Sequence, residues 1–203
     1  MFKIKILCAC EESQAVTINL RNLGHEAYSC DIKPCSGGFP EWHIQDNVIP
    51  LLKYHWDIII AFPPCTYLSS AGNSHLNSPG RKELRSAAAA FFMEFVNAPC
   101  EHIAIENPVG YMNTYYRKPD QIIHPYMFGD SYMKRTCLWL KNLPCLYPTY
   151  LLKKPEPVYI QSNGKKRNWV ETVSTSDRQT IRSKTFPGIA AAMAFQWTNN
   201  FYL

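Results

Sequence analysis

Apolar residues along this chain fall into short, continuously apolar runs separated by longer amphipathic ones. Lys3–Cys10 reads as a buried strand, and Glu12–Leu23 as a helix that Gly24 stops. His25–Asp31 reads as a second strand that ends in an acid. Trp56–Phe62 and His102–Glu106 are two further strands. Between them, Arg81–Asn97 carries four consecutive alanines, Ala87–Ala90, followed by Phe91, Phe92 and Phe95, which predicts a helix with a broad buried face. Strands that alternate with helices predict an α/β fold, a parallel sheet covered on both faces.

The second half has a different rhythm. Ile122–Phe128 and Thr136–Leu140 flank Gly129–Arg135, the pattern of an antiparallel hairpin with a loop. Residues 141–170 hold Pro144, Pro148, Pro155 and Pro157 and the cluster Gly164-Lys165-Lys166-Arg167, a proline-rich basic excursion rather than a regular element. Compact domains seldom carry so long a loop without a role for it. Pro187–Trp197 closes the pattern as a helix with proline in its first turn. The expected organisation is one domain from residues 1–140 together with 183–203, interrupted by a short insert over 141–182.

Composition narrows the class. With 46% hydrophobic and 18% charged residues, the chain has the apolar content for a core and is not globally disordered. No apolar stretch approaches the roughly 20 residues that span a bilayer, and Met1–Leu7 is too short and strand-like for a signal peptide. The eight cysteines form no C-x-x-C unit and lack accompanying histidine spacing, which argues against zinc or a disulfide framework and for a reducing cytoplasm. Charge is uneven. Residues 1–110 carry 8 Lys/Arg against 11 Asp/Glu, a balance of −3, whereas residues 111–203 carry 13 against 5, a balance of +8. A basic half suits a phosphate-bearing partner, nucleic acid above all; an ordinary basic surface is the plainer alternative.

Two strand ends carry the chemistry. The run Asp57–Phe62 stops at Pro63-Pro64, and the next residue is Cys65. The strand His102–Glu106 ends in Glu106-Asn107-Pro108. Open α/β sheets place their reactive groups at the carboxyl ends of strands, so a thiol and a carboxylate there point to nucleophilic and acid–base chemistry. Taken singly, Cys65 also reads as a buried structural thiol, and Glu106 as a carboxylate capping a helix.

The segments Phe62-Pro63-Pro64-Cys65-Thr66, Glu106-Asn107-Pro108 and Lys134-Arg135-Thr136 together resemble the cytosine-5 DNA methyltransferases and their small phage-type relatives. Asp31 and the helix Pro187–Trp197 add to the resemblance, and the matches run in the family order over most of the chain. It implies a Rossmann-like methyltransferase fold, S-adenosylmethionine as cofactor and methylation of carbon 5 of cytosine in DNA. Carbon 5 is a poor nucleophile while the ring is aromatic. Addition of the Cys65 thiolate to carbon 6 breaks that aromaticity and gives carbon 5 enamine character. Glu106 would hold the ring nitrogen and exocyclic amine, and Arg135 or Lys134 would stabilise the carbonyl oxygen or a backbone phosphate. Amino-methylating enzymes use a polar residue, Pro-Pro and an aromatic instead; Phe62 and Cys65 stand at those two places here, which favours carbon-5 chemistry.

For the cofactor, the resemblance implies the first loop with Cys10, Glu11 and Ser13, the ribose-binding acid Asp31, an adenine contact at Asp46, and Pro63. For the substrate it implies Pro64, Asn107 and Lys134, with Lys165, Lys166 and Arg167 on the nucleic-acid backbone. Two departures stand out. The segment Cys8–Gln14 contains no glycine, where the family's loop is glycine-rich. The insert of about 40 residues is small for an enzyme that flips a base out of a duplex, though it interleaves Lys153, Lys154 and Lys165–Arg167 with Tyr147, Tyr150, Tyr159 and Trp169. Single-stranded DNA, RNA or a free pyrimidine nucleotide are therefore alternative substrates. A non-catalytic nucleic-acid-binding or nucleotide-binding protein on the same fold is the rival outside enzymes.

Overall fold

The computed structural model describes residues 3–70, 76–160, 162, 164, 166–167 and 185–199. Seven strands form one sheet: β1 (Lys5–Ala9), β2 (Glu26–Asp31), β3 (His43–Gln45), β4 (Ile58–Ala61), β5 (His102–Pro108), β6 (Gln121–Ile123) and β7 (Thr136–Lys141). Their order is β3-β2-β1-β4-β5-β7-β6. The first five run parallel; β7 is antiparallel to both β5 and β6. The expected α/β class, with a mostly parallel sheet and an antiparallel hairpin on its later side, is what the chain adopts. Among the described residues, four α-helices accompany it: α1 (Ala15–Asn22), α2 (Arg81–Val96), α3 (Met112–Tyr115) and α4 (Pro187–Asn199). A separate two-stranded ribbon pairs β8 (Tyr159–Ile160) with β9 (Lys166–Arg167).

The central strands are apolar throughout because both faces are covered. Successive residues point to opposite sides. Thus Ile6 and Cys8 of β1, Ile58 and Ile60 of β4 and Ala104 of β5 join α1 and α4 in one core layer. Leu7 and Ala9, Ile59 and Ala61, and Ile103 and Ile105 join α2 in the other. Phe92 and Phe95 of α2 and Met193 and Trp197 of α4 are fully covered, each burial worth about 1.5–3 kcal/mol.

Several boundaries differ from the sequence reading. The helix expected from Glu12 begins at Ala15, because Glu11–Gln14 turns as a loop before it. The short elements β3, α3 and the β8–β9 ribbon carry too little periodicity to be read from sequence. The excursion expected from residue 141 leaves the body later. Leu146 lies in the core layer of α4, Gln196 exchanges two 2.9 Å hydrogen bonds with the backbone of Tyr147, and Leu152 N–H donates to Tyr126 O at 2.9 Å. Among the described residues, no helix is long and apolar enough to cross a membrane.

Candidate active site at the ends of the parallel strands

Strand β1 sits between β2 and β4, so the chain order reverses at β1 and leaves a crevice beyond the strand ends, where doubly wound sheets bind ligands. A cavity of about 390 Å³ opens there, lined by residues that follow β1, β2 and β4 and by Phe91 of α2. Cys10, Glu11, Ser13, Asp31, Asp46 and Pro64 all line it. Pro63 does not. It is buried, and the lining from that strand end comes from Phe62, Pro64 and Thr66.

The glycine-free loop after β1 still makes left-handed turns. Cys10 has φ 59° and Gln14 φ 56°, a conformation that costs a non-glycine residue about 1–3 kcal/mol unless its surroundings impose it. Two buried side chains impose it here. The Glu11 carboxylate accepts the amides of Val16 (2.6 Å) and Thr17 (3.3 Å) and the Thr17 hydroxyl (2.7 Å), capping α1. Gln14 donates to Phe39 O at 2.8 Å and accepts from Phe39 N–H at 3.1 Å. The missing glycine is supplied by the next loop: a Cβ at Gly37 would stand 2.6 Å from Gln14 Cβ. Glu11 therefore lines the crevice but directs its carboxylate to α1. Burial pushes that carboxyl up to about 7 against the lowering effect of its hydrogen bonds. Burial likewise pushes the Cys10 thiol up, helped by the charge of Asp31.

Asp31 ends β2, and Asp46 N–H donates to its carbonyl at 3.1 Å, which sets the two acids side by side on the rim. Ile32 beside them is 77% exposed, unusual for an apolar residue in a crevice wall, and Val48 and Phe91 line the same space. Apolar walls with two carboxylates at the rim fit a nucleoside: the walls cover a flat ring, and the acids accept from hydroxyl and amine donors. Ile32 and Val48 carry no sequence signal for this place, and Phe91 reads from the sequence only as part of the buried face of a helix.

The catalytic candidates belong to the carboxyl ends of neighbouring strands, Cys65 in the turn that follows β4 and Glu106 near the end of β5. Their parallel register runs from Ile58↔His102 to Ala61↔Ile105, and the next step sets Phe62 beside Glu106. Asn107 Nδ2 donates to Pro63 O at 2.7 Å, tying the two strand ends together. Asn107 is 1% exposed; its Nδ2 shapes the Pro-Pro-Cys turn, and its Oδ1 is buried without a hydrogen-bond partner among the described residues. Cys65 is half-buried, and its carbonyl accepts the amides of Leu68 (3.0 Å) and Ser69 (2.9 Å). That turn docks on the loop after β5 through Tyr111 N–H to Leu68 O at 2.7 Å and Ser70 N–H to Val109 O at 3.1 Å. Only glycine fits the contact: a Cβ at Gly110 would stand 2.0 Å from Leu68 O.

The loop before β7 brings in the cations. Lys134 Nζ lies 3.8 Å from Glu106 Oε1, both largely covered, and 5.9 Å from the centre of the Phe186 ring. Of the basic pair, then, Lys134 is the member that faces the carboxylate. The loop itself is held by Asp130, which accepts the Gly188 amide of α4 at 2.9 Å. Arg135 lies farther out. With Lys154 it faces His124, whose imidazole is held below its ordinary pKa by burial first and then by those two charges. Lys165 falls outside the described residues, and Lys166 and Arg167 form β9 in the small ribbon. Among the described residues, no group of three or more His, Cys, Asp and Glu side chains is placed to hold a metal ion.

Comparison with protein-family models and with curated proteins finds no match. The functional reading therefore rests on the residues and their geometry.

Proposed function

We propose that this protein methylates carbon 5 of a cytosine in nucleic acid, DNA being the first substrate to test, on a Rossmann-like methyltransferase fold. One arrangement carries the reading: Cys65 and Glu106 at adjacent ends of β4 and β5, next to a nucleoside-sized crevice at the point where the strand order reverses. The strand order β3-β2-β1-β4-β5 agrees with the nucleotide-binding doubly wound arrangement. In this reading Asp31 and Asp46 accept from the ribose and adenine donors of S-adenosylmethionine, and Ile32, Val48 and Phe91 cover its ring. S-adenosylmethionine, when bound, supplies an electrophilic methyl group to carbon 5.

The protein's own part is to make carbon 5 reactive. The Cys65 thiolate forms a bond to carbon 6, and the ring's electron pair shifts toward carbon 5. Glu106 holds the ring nitrogen and exocyclic amine as charge develops there. Lys134 balances the Glu106 carboxylate before the base arrives and stabilises the base's carbonyl oxygen once it is in place. Loss of the carbon 5 proton and of the sulfur–carbon 6 bond then restores both the aromatic ring and Cys65. The left-handed turns at Cys10 and Gln14 support this reading, because they give the first loop the shape that glycines would otherwise allow.

The test is transfer of label from S-adenosylmethionine to separate pools of duplex DNA, single-stranded DNA, RNA and dCMP, with Cys65→Ala alongside. Transfer to at least one pool that vanishes in Cys65→Ala is expected. A 5-fluorocytosine substrate should trap the Cys65 adduct, since fluorine cannot leave as a proton does. Absence of both transfer and donor binding would remove the enzyme reading.

A further inference from the structure

The loops around Cys65 carry an array of cations and rings whose cations come from the acidic first half of the chain. Arg81 lies over the Tyr67 ring at 4.7 Å. Arg85 Nε donates to Tyr67 O at 3.1 Å, and the same guanidinium lies over the Tyr111 ring at 5.1 Å. Tyr111 in turn stacks on Tyr115, with centroids 5.1 Å apart and planes at 27°. Three segments distant in sequence thus build one ladder. It begins two residues after Cys65 and ends on Tyr115, which is 54% exposed.

Three features make this more than ordinary surface packing. The ladder is rooted in the catalytic turn, because Tyr67 belongs to it and Tyr111 N–H holds its Leu68 carbonyl. It concentrates positive charge in the acidic half of the chain: Arg81, Lys82 and Arg85 stand against Glu83 alone within that stretch. Among the described residues, the guanidinium of Arg81 has no carboxylate partner. A guanidinium anchored over a ring still offers its N–H fork to a phosphate, which it takes through two parallel hydrogen bonds. An exposed ring at the other end offers a face on which any base can stack.

We propose that the Arg81–Tyr67–Arg85–Tyr111–Tyr115 ladder binds a single-stranded polynucleotide beside Cys65, with Arg81 on a phosphate and Tyr115 stacked on a base flanking the target. The ladder reads ring faces and phosphates, which DNA and RNA strands share. It excludes a closed duplex, whose bases present no free face. This deepens the proposed function by assigning its substrate a form, and rests on that function only for the role of the adjacent Cys65.

The binding test contains no methyl donor, so it succeeds or fails independently of catalysis. Fluorescein-labelled 12-residue strands of DNA and of RNA, and a blunt DNA duplex, are titrated with the full chain between 50 and 200 mM salt and followed by anisotropy. Single strands of at least one kind should bind more tightly than the duplex. Tyr115→Ala should weaken that binding about fivefold or more, whereas Tyr115→Phe should stay within about twofold. Arg81→Gln should lower the salt dependence by about 0.7, the loss of one phosphate contact on a single strand. Tyr115 is exposed, so its variants should keep the wild-type melting temperature. The proposal is overturned if no single strand binds, if the duplex binds as well as the strands, or if Tyr115→Ala and Arg81→Gln leave affinity and salt dependence unchanged. If the ladder variants behave as expected while no pool accepts a methyl group, the surface stands and the catalytic reading falls.

Discussion

The crevice has two ends built on opposite principles. At the β1–β2 end the loops are acidic and shaped from within: Glu11 and Gln14 turn their buried polar groups onto the backbone and hold two left-handed residues in place. At the β4–β5 end the loops are cationic and aromatic, and each takes its shape from another loop, through Asn107 on Pro63 and Gly110 under Leu68. The first end is preorganised in the way a fixed nucleoside pocket needs. The second is an assembly of separate segments, each shaped by the one it docks on.

The sharpest way to break this contrast is a methyl group at each glycine contact. In Gly110→Ala the added carbon meets a backbone carbonyl at 2.0 Å, so the two loops must part, at a cost of about 3 kcal/mol or more. Gly37→Ala meets Gln14 Cβ at 2.6 Å and Ser13 O at 2.7 Å and should cost less, since those contacts overlap less than the 2.0 Å one at Gly110. Thermal denaturation compares the two; equal losses would erase the distinction. Glu11 gives a test by pH. Its folded pKa of about 7 lies above the usual 4.5, so the folded state binds more protons between those values. Stability should therefore fall as pH rises from about 4.5 to about 7 and level off above, by on the order of 3 kcal/mol. In Glu11→Gln, whose amide keeps an acceptor for Val16, that slope should vanish. Parallel urea-denaturation curves for the two proteins across this range would contradict it.

Smaller effects are expected from single contacts at the β4–β5 end. Asn107→Ala leaves Pro63 O without its 2.7 Å donor and should cost about 1–3 kcal/mol. The same variant should change the rate at which iodoacetamide modifies Cys65, measured by peptide mapping; an unchanged rate would mean that Asn107 does not shape the turn. Lys134→Met should cost about 1–3 kcal/mol, because it leaves the largely covered Glu106 carboxylate without its counter-charge. Methyl transfer should also drop about tenfold or more in that variant.

What was legible from the sequence follows the same contrast. Strands β4 and β5 were visible because their residues are β-branched or apolar in continuous runs and stop at prolines, signals local to the segment. The pairing of Pro63-Pro64-Cys65 with Glu106-Asn107 followed from those ends. The first loop was not legible: the lack of glycine argued against its shape, whereas the left-handed turns are imposed by contacts to Phe39 and to α1. The Tyr67–Arg81–Arg85–Tyr111 ladder joins residues up to 44 positions apart, which no window along the chain can connect. The root of the insert escaped for a similar reason, because Gln196 holds Tyr147 across 49 residues.

The borrowed glycine also couples two loops. The first loop takes part of its shape from Glu11 on α1 and part from its neighbour through Gln14, so Cys10–Gln14 and the segment from Ser36 to Phe39 order together. Ser36 N–H donates to Glu12 O and Phe39 N–H to Gln14 Oε1, and both bonds break in a single opening of that segment. In hydrogen exchange these two amides should behave as one cooperative unit, less protected than the strands beneath. The acidic end of the crevice would then open as one unit rather than residue by residue.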